Sequence, residues 1–125
     1  HIKTIFMNTQ QIADRLAELC KTGDFETAQK ELYADAVISI EPMATPDYDK
    51  ETKGKDAVEA KMQKFKSSVE ESYGNEVSVP LVTANAIAFT LAMDIKMKGQ
   101  DRMKMTEICV YEVKDGKVIS EQFFA

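Results

Sequence analysis

The chain has 125 residues, 44% of them hydrophobic and 30% charged, which suits one domain built on one core. A formal net charge of -5 with no basic stripe argues against nucleic acid or an anionic membrane surface as a partner. No apolar run approaches the roughly 20 residues needed to span a bilayer, and the sole histidine is His1, so a histidine-based metal site or catalytic triad is not expected.

Residues 1–6 read as a short native extension or as added residues, because Met7 reads like a natural start; residues 7–125 read as a single domain. Asn8 to Lys21 has helical spacing at Ile12, Ala13, Leu16, Leu19 and Cys20, and Asn8 with Gln11 resembles a capping box. Gly23 is a stop signal. Asp24 then caps a second helix whose apolar side is Phe25, Ala28 and Leu32, with Tyr33 at its margin. Ala36 to Glu41 carries Val37, Ile38 and Ile40 and reads as a strand ended by Pro42. Met43 to Lys53 is turn-rich and reads as a loop or an irregular hairpin.

A third helix follows Gly54, with a cap signal at Asp56 and Glu59. Its buried stripe is Val58, Met62, Phe65 and Val69, and Gly74-Asn75 ends it. Lys55, Lys61, Lys64 and Lys66 alternate with acids and read as a solvated face. Four strands are expected next: Glu76 to Leu81, Ala86 to Lys98, Arg102 to Val113 and Lys117 to Phe124. Asp115-Gly116 is the hairpin turn between the last two. A three-residue turn at Gly99-Gln100-Asp101 sets Met97 opposite Met103 and Met93 opposite Glu107. Helices followed by strands predict an α+β fold, a cone-shaped roll. Three N-terminal helices pack on a strongly bent, mainly antiparallel sheet that encloses a pocket.

One residue stands out in this pattern. Met103, Met105, Glu107, Cys109, Tyr111 and Val113 share one strand face, so Glu107 is a carboxylate among apolar neighbours. It is either a pocket acid with a raised pKa or a glutamate at an edge, at a bulge or bonded to a tyrosine. Tyr111 is a donor to a ligand or to Glu107, or a core tyrosine with a satisfied hydroxyl. Met93, Met97, Met103 and Met105 fill the core or line an adaptable cavity. Ser120, Gln122 and Phe124 share a face of the last strand. Cys20 and Cys109 read as two free thiols of a reducing cytoplasm, with a single bridge left open.

The stretches QQIADRLAELCKTGDFETAQKELYADAVISIEP, KGKDAVEAKMQKF and VYEVKDGKVISEQFF resemble SnoaL-like members of the nuclear transport factor 2-like superfamily, which includes the ketosteroid isomerases, over nearly the whole chain from Met7. That resemblance implies a cone of helices against a bent sheet, often paired into a homodimer through the outer sheet face. Glu41-Pro42 resembles the acid that many members place before a proline at the end of the first strand, so Glu41 joins Glu107 as a candidate catalytic carboxylate. The last-strand pattern Glu-His-Trp-Asp corresponds here to Glu121, Gln122, Phe123 and Phe124, so its histidine and terminal acid are replaced. Gln122 and Phe124 become ligand-binding candidates beside Tyr111, Met93 and Met105.

The implied function is an isomerase, cyclase or dehydratase-type reaction. It would act on a small apolar carbonyl compound by carboxylate proton transfer, without metal or cofactor and with a tyrosine hydroxyl as polariser. The alternative is a non-catalytic module that binds a small hydrophobic ligand, or a dimeric interaction domain. The choice between enzyme and binder stays open at this point.

Overall fold

The computed structural model describes residues 6–125, so most of the expected N-terminal extension lies outside the described residues. Helix α1 spans Thr9–Lys21. The Asn8 side chain accepts from the Gln11 backbone N–H and the Gln11 side chain accepts from the Asn8 N–H, the reciprocal box that the sequence signals. Its buried side is Ile12, Ala13, Leu16, Leu19 and Cys20. Helix α2 spans Phe25–Leu32 and is capped by Asp24, whose side chain accepts from the Thr27 N–H. Tyr33 leaves the helix and begins strand β1, Tyr33–Ile40, three residues earlier than the sequence suggests. The polar stretch after it contains a short strand, β2, Glu51–Lys53, antiparallel to β1.

Helix α3 spans Lys55–Ser68 and stops well before Gly74. Its N-cap is Gly54 at φ 91°, with no side-chain cap, so Asp56 lies in the first turn instead of capping. The hydroxyls of Ser67 and Ser68 bond back to the Lys64 carbonyl, which competes with continuation of the helix. From Val69 the chain instead pairs with a long neighbouring strand. Strand β3, Val69–Val77, runs antiparallel to β5, Ala86–Met97, with two register shifts, and Gly74 sits inside it at φ 130°. Pro80 cuts the strand expected over Glu76 to Leu81, leaving a two-residue β4, Leu81–Val82, also on β5.

Strands β6, Arg102–Lys114, and β7, Lys117–Phe124, complete the sheet. The turn between them has Asp115 at φ 51° and Gly116 at φ 74°, the paired left-handed conformations that an Asp-Gly hairpin turn requires. The strand order is β2-β1-β7-β6-β5-β3. Only the β1–β7 pair is parallel, so the sheet is mixed and mostly antiparallel. The three helices lie against one curved face, as the α+β cone requires. The core between them centres on Ile12, Leu16, Leu32, Val37, Ile87 and Val118, each fully buried or nearly so.

Two details of register correct the sequence reading, and both bear on the site. The β5–β6 ladder closes with Lys96 opposite Arg102, so the connection is longer than a three-residue turn. Glu107 therefore faces Leu91, Met93 faces Met105, and Met103 faces Ile95. The slip is even, so every side chain keeps its expected face.

The second detail is a bulge in β7. Val113 pairs with Val118, but Glu112 pairs with Ser120, so β7 carries one extra residue at Ile119. Beyond it the alternation is inverted. Glu121 and Phe123 turn to the inner face, opposite Tyr111 and Cys109, while Gln122 and Phe124 point outward, opposite Val110 and Ile108. Gln122 and Phe124 are thus removed from the set of ligand-lining residues.

Candidate functional site

The inner face of the sheet and the helices enclose a cavity of about 430 Å³. Its floor is made of buried side chains, Leu16, Cys20, Leu91, Met93 and Tyr111. Phe25, Met62 and Phe65 close it from the helices, and Phe123 from β7. Pro42, Met43, Thr45 and Tyr48 form the mouth, so the turn-rich stretch after β1 borders the cavity. Met105 lies at the edge, 38% exposed. Of the sequence candidates, Glu107, Glu41, Tyr111, Met93 and Met105 are brought together here.

Four charged side chains break the apolar lining: Glu41, Glu107, Glu121 and Lys61. Glu107 projects from mid-strand on β6, and the Cys109 thiol donates to it at 3.8 Å. Burial is the main reason that its carboxyl is pushed up to about 7, and the nearby charges of Glu41 and Glu121 push the same way. Lys61 pulls in the opposite direction with smaller effect.

Glu121 is only 3% exposed. The Tyr33 hydroxyl donates to one of its oxygens and the Ser39 hydroxyl to the other, at 2.6 Å for the latter. Burial outweighs these two hydrogen bonds and holds its carboxyl above the ordinary range. The Lys61 ammonium continues the chain, donating to Ser39 Oγ at 2.5 Å and to Glu41 Oε1 at 2.9 Å. A connected path thus runs from Glu41 at the mouth through Lys61 and Ser39 to Glu121 and Tyr33 on the floor.

This placement corrects the reading of Lys61 as part of a solvated face. Its side chain is 14% exposed and its ammonium stands 5.8 Å from the centre of the Phe123 ring. The signal was in the spacing, since Lys61 lies three residues after Val58 and four before Phe65, on the same helical stripe. Glu121 was hidden by the β7 bulge. Tyr111 is buried, packs on Phe89 at 5.4 Å, and places its hydroxyl beside the Cys20 and Cys109 thiols rather than on Glu107. Both cysteines are buried and free, with their thiols pushed up by desolvation. Among the described residues no three His, Cys, Asp or Glu side chains group to hold a metal ion. No helix of the described residues is long and apolar enough to cross a membrane.

The model of the SnoaL-like domain matches residues 7–125. The chain belongs to the SnoaL-like domain family. A SnoaL-like protein of Mesorhizobium loti, named as a candidate polyketide cyclase, is 32% identical to this SnoaL-like chain. It superposes with a TM-score of 0.87 over 95% of this chain and 100% of that one. An NTF2-like protein of Burkholderia pseudomallei is 13% identical, with a TM-score of 0.78 over 94% of this chain and 90% of that one. A Mycobacterium tuberculosis protein in complex with estradiol-17beta-hemisuccinate is 17% identical, with a TM-score of 0.72 over 95% of both chains. At those last two identities the likeness is one of fold alone. No curated protein matches the chain.

Proposed function

We propose that this protein takes a small apolar carbonyl compound into its cavity and moves a proton on it through Glu107. The reaction would be of the isomerase, cyclase or dehydratase type and would need no cofactor. The observation that carries this reading is the Glu107 carboxyl, set among apolar side chains of the cavity and pushed up to about 7 by its burial. A base with that pKa is half ionised at neutral pH, so it can both accept a proton from carbon and return it. The M. loti relative's name and the steroid ester held by the M. tuberculosis protein support an apolar guest of this kind. Glu41 is the weaker candidate base, because its oxygen is engaged by Lys61.

The test is solvent-deuterium exchange into a panel of cyclic ketones, followed by NMR. Wild-type protein is expected to exchange an α hydrogen of at least one member, and Glu107→Gln to lose about a hundredfold or more of that rate. Saturable binding without any exchange, unchanged in Glu107→Gln, would favour the alternative of a ligand-binding module. The methionine-rich walls suit such a module, since Met side chains adapt to guests of different shape.

The outer sheet face is proposed to pair two copies of the chain. Ile108 and Phe124, cross-strand neighbours, are each 48% exposed there, and Leu81 beside Ala88 is 76% exposed. Phe124→Lys together with Ile108→Lys is expected to convert a dimer to a monomer in light scattering, and a wild-type monomer would count against the pairing. The two free thiols support a reducing compartment, the cytoplasm.

A further inference from the structure

The polar chain leaves one strong donor unaccounted for. An ammonium carries three N–H groups. Among the described residues Lys61 uses two, on Ser39 Oγ and Glu41 Oε1, and the ammonium itself lines the cavity. Two neighbouring hydroxyl donors are already committed. The Tyr33 O–H is on Glu121, the Ser39 O–H is on Glu121, and the Tyr111 hydroxyl sits with the two thiols. We propose that Lys61, the one cation among the described residues lining the cavity, is the group that holds the carbonyl oxygen of the guest and stabilises the negative charge that develops on it.

This assignment rests on the reading of Glu107 as a proton-transfer group. In the step it describes, the Glu107 carboxylate takes a proton from the carbon next to the carbonyl. The C–H electron pair becomes the C=C bond of an enolate, the carbonyl π pair moves to oxygen, and the Lys61 N–H holds that oxygen. Glu107, its proton free to exchange with solvent, then delivers one proton to a carbon of the same skeleton, so no co-reactant is consumed. A fixed cation helps most where water is excluded, and Lys61 is largely buried between the Phe123 ring and the ion pair with Glu41. The Ser39–Glu121–Tyr33 bonds fix where the ammonium stands, so Ser39 and Glu121 are positioning residues. Glu41 is the counter-ion that offsets the cost of burying Lys61 when the cavity is empty. The guest class that follows is a ketone or aldehyde with an enolisable C–H, small enough for the cavity and otherwise apolar.

The probe is para-nitrophenol, whose phenolate mimics an enolate oxygen and is read by its own absorbance, with nitrobenzene as the uncharged control. Wild-type protein is expected to lower the pH at which bound nitrophenol ionises. Lys61→Met should weaken phenolate binding about tenfold or more and leave nitrobenzene binding within about twofold, and Lys61→Arg should restore most of the loss. An independent arm uses Glu41→Gln, which frees the ammonium of its counter-ion and should tighten phenolate binding, whatever the fold of Lys61→Met. No phenolate binding to wild-type protein, an equal loss of both probes in folded Lys61→Met, or no tightening in Glu41→Gln would each overturn the assignment. Failure of the Glu107 reading is separable from these outcomes. It shows as absent deuterium exchange with the Lys61-dependent phenolate preference intact.

Discussion

Glu121→Ala is expected to lower the stability of the fold by about 3 kcal/mol, the largest loss of any single polar substitution in the chain. Glu121 is 3% exposed and accepts hydrogen bonds from both Tyr33 and Ser39. Truncation strands two buried hydroxyls and opens a space under β1 and β7, and each stranded group costs about 1 to 3 kcal/mol. The burial penalty on the carboxyl itself offsets part of that sum. Lys61 also loses the brace behind Ser39. Glu121→Gln keeps the volume and one acceptor, and its hydroxyl neighbours can rotate to meet the amide, so its loss should stay near about 1 kcal/mol. Denaturant melts of the two variants check the ordering. Equal small effects would mean that Glu121 is hydrated and that the buried chain is not intact.

The second large effect is a pH dependence. Glu107 is moved from 4.5 to about 7, so the folded chain binds this proton more tightly than the unfolded chain does. Below about pH 4 both states are protonated and Glu107 incurs no penalty. As pH rises toward 7 the unfolded carboxylate ionises first, and the native state loses ground. Above about pH 7 the loss is complete, at about 3 kcal/mol. Glu107→Gln removes that dependence. The variant should match wild-type stability near about pH 4 and exceed it by about 3 kcal/mol near about pH 8. Glu121, also raised, acts in the same direction and remains in the variant, so a smaller residual slope is expected. This is the familiar exchange of stability for function at a site, since the substitution that stabilises also removes the proposed base.

The sequence made the inner face of the long hairpin legible, because β5 and β6 alternate without interruption and each exposes one apolar edge to the core. That alternation alone put Glu107, Tyr111, Met93 and Met105 around one space. The Asn8–Gln11 cap and the Asp115-Gly116 turn were legible for a similar reason, since each is a local bond pattern within four residues. Glu121 and Lys61 were not. A bulge at Ile119 inverts the parity of β7, and no local residue preference marks it, so strict alternation put Gln122 and Phe124 inside instead. Lys61 was masked by composition, because lysines amid acids look solvated even when one of them lies on the buried stripe. The early end of α3 escaped because β5 supplies a long edge for Val69–Val77, a tertiary partner that outweighs local helix preference.

The proposed role of Glu107 requires a cavity carboxyl desolvated enough to titrate near neutrality. Its side-chain carboxyl resonance, followed by NMR across pH in the folded protein with selectively labelled glutamate and assigned by loss in Glu107→Gln, reads this directly. A midpoint at about 7 is expected. A midpoint near 4.5, the value of an ordinary exposed glutamate, would contradict it.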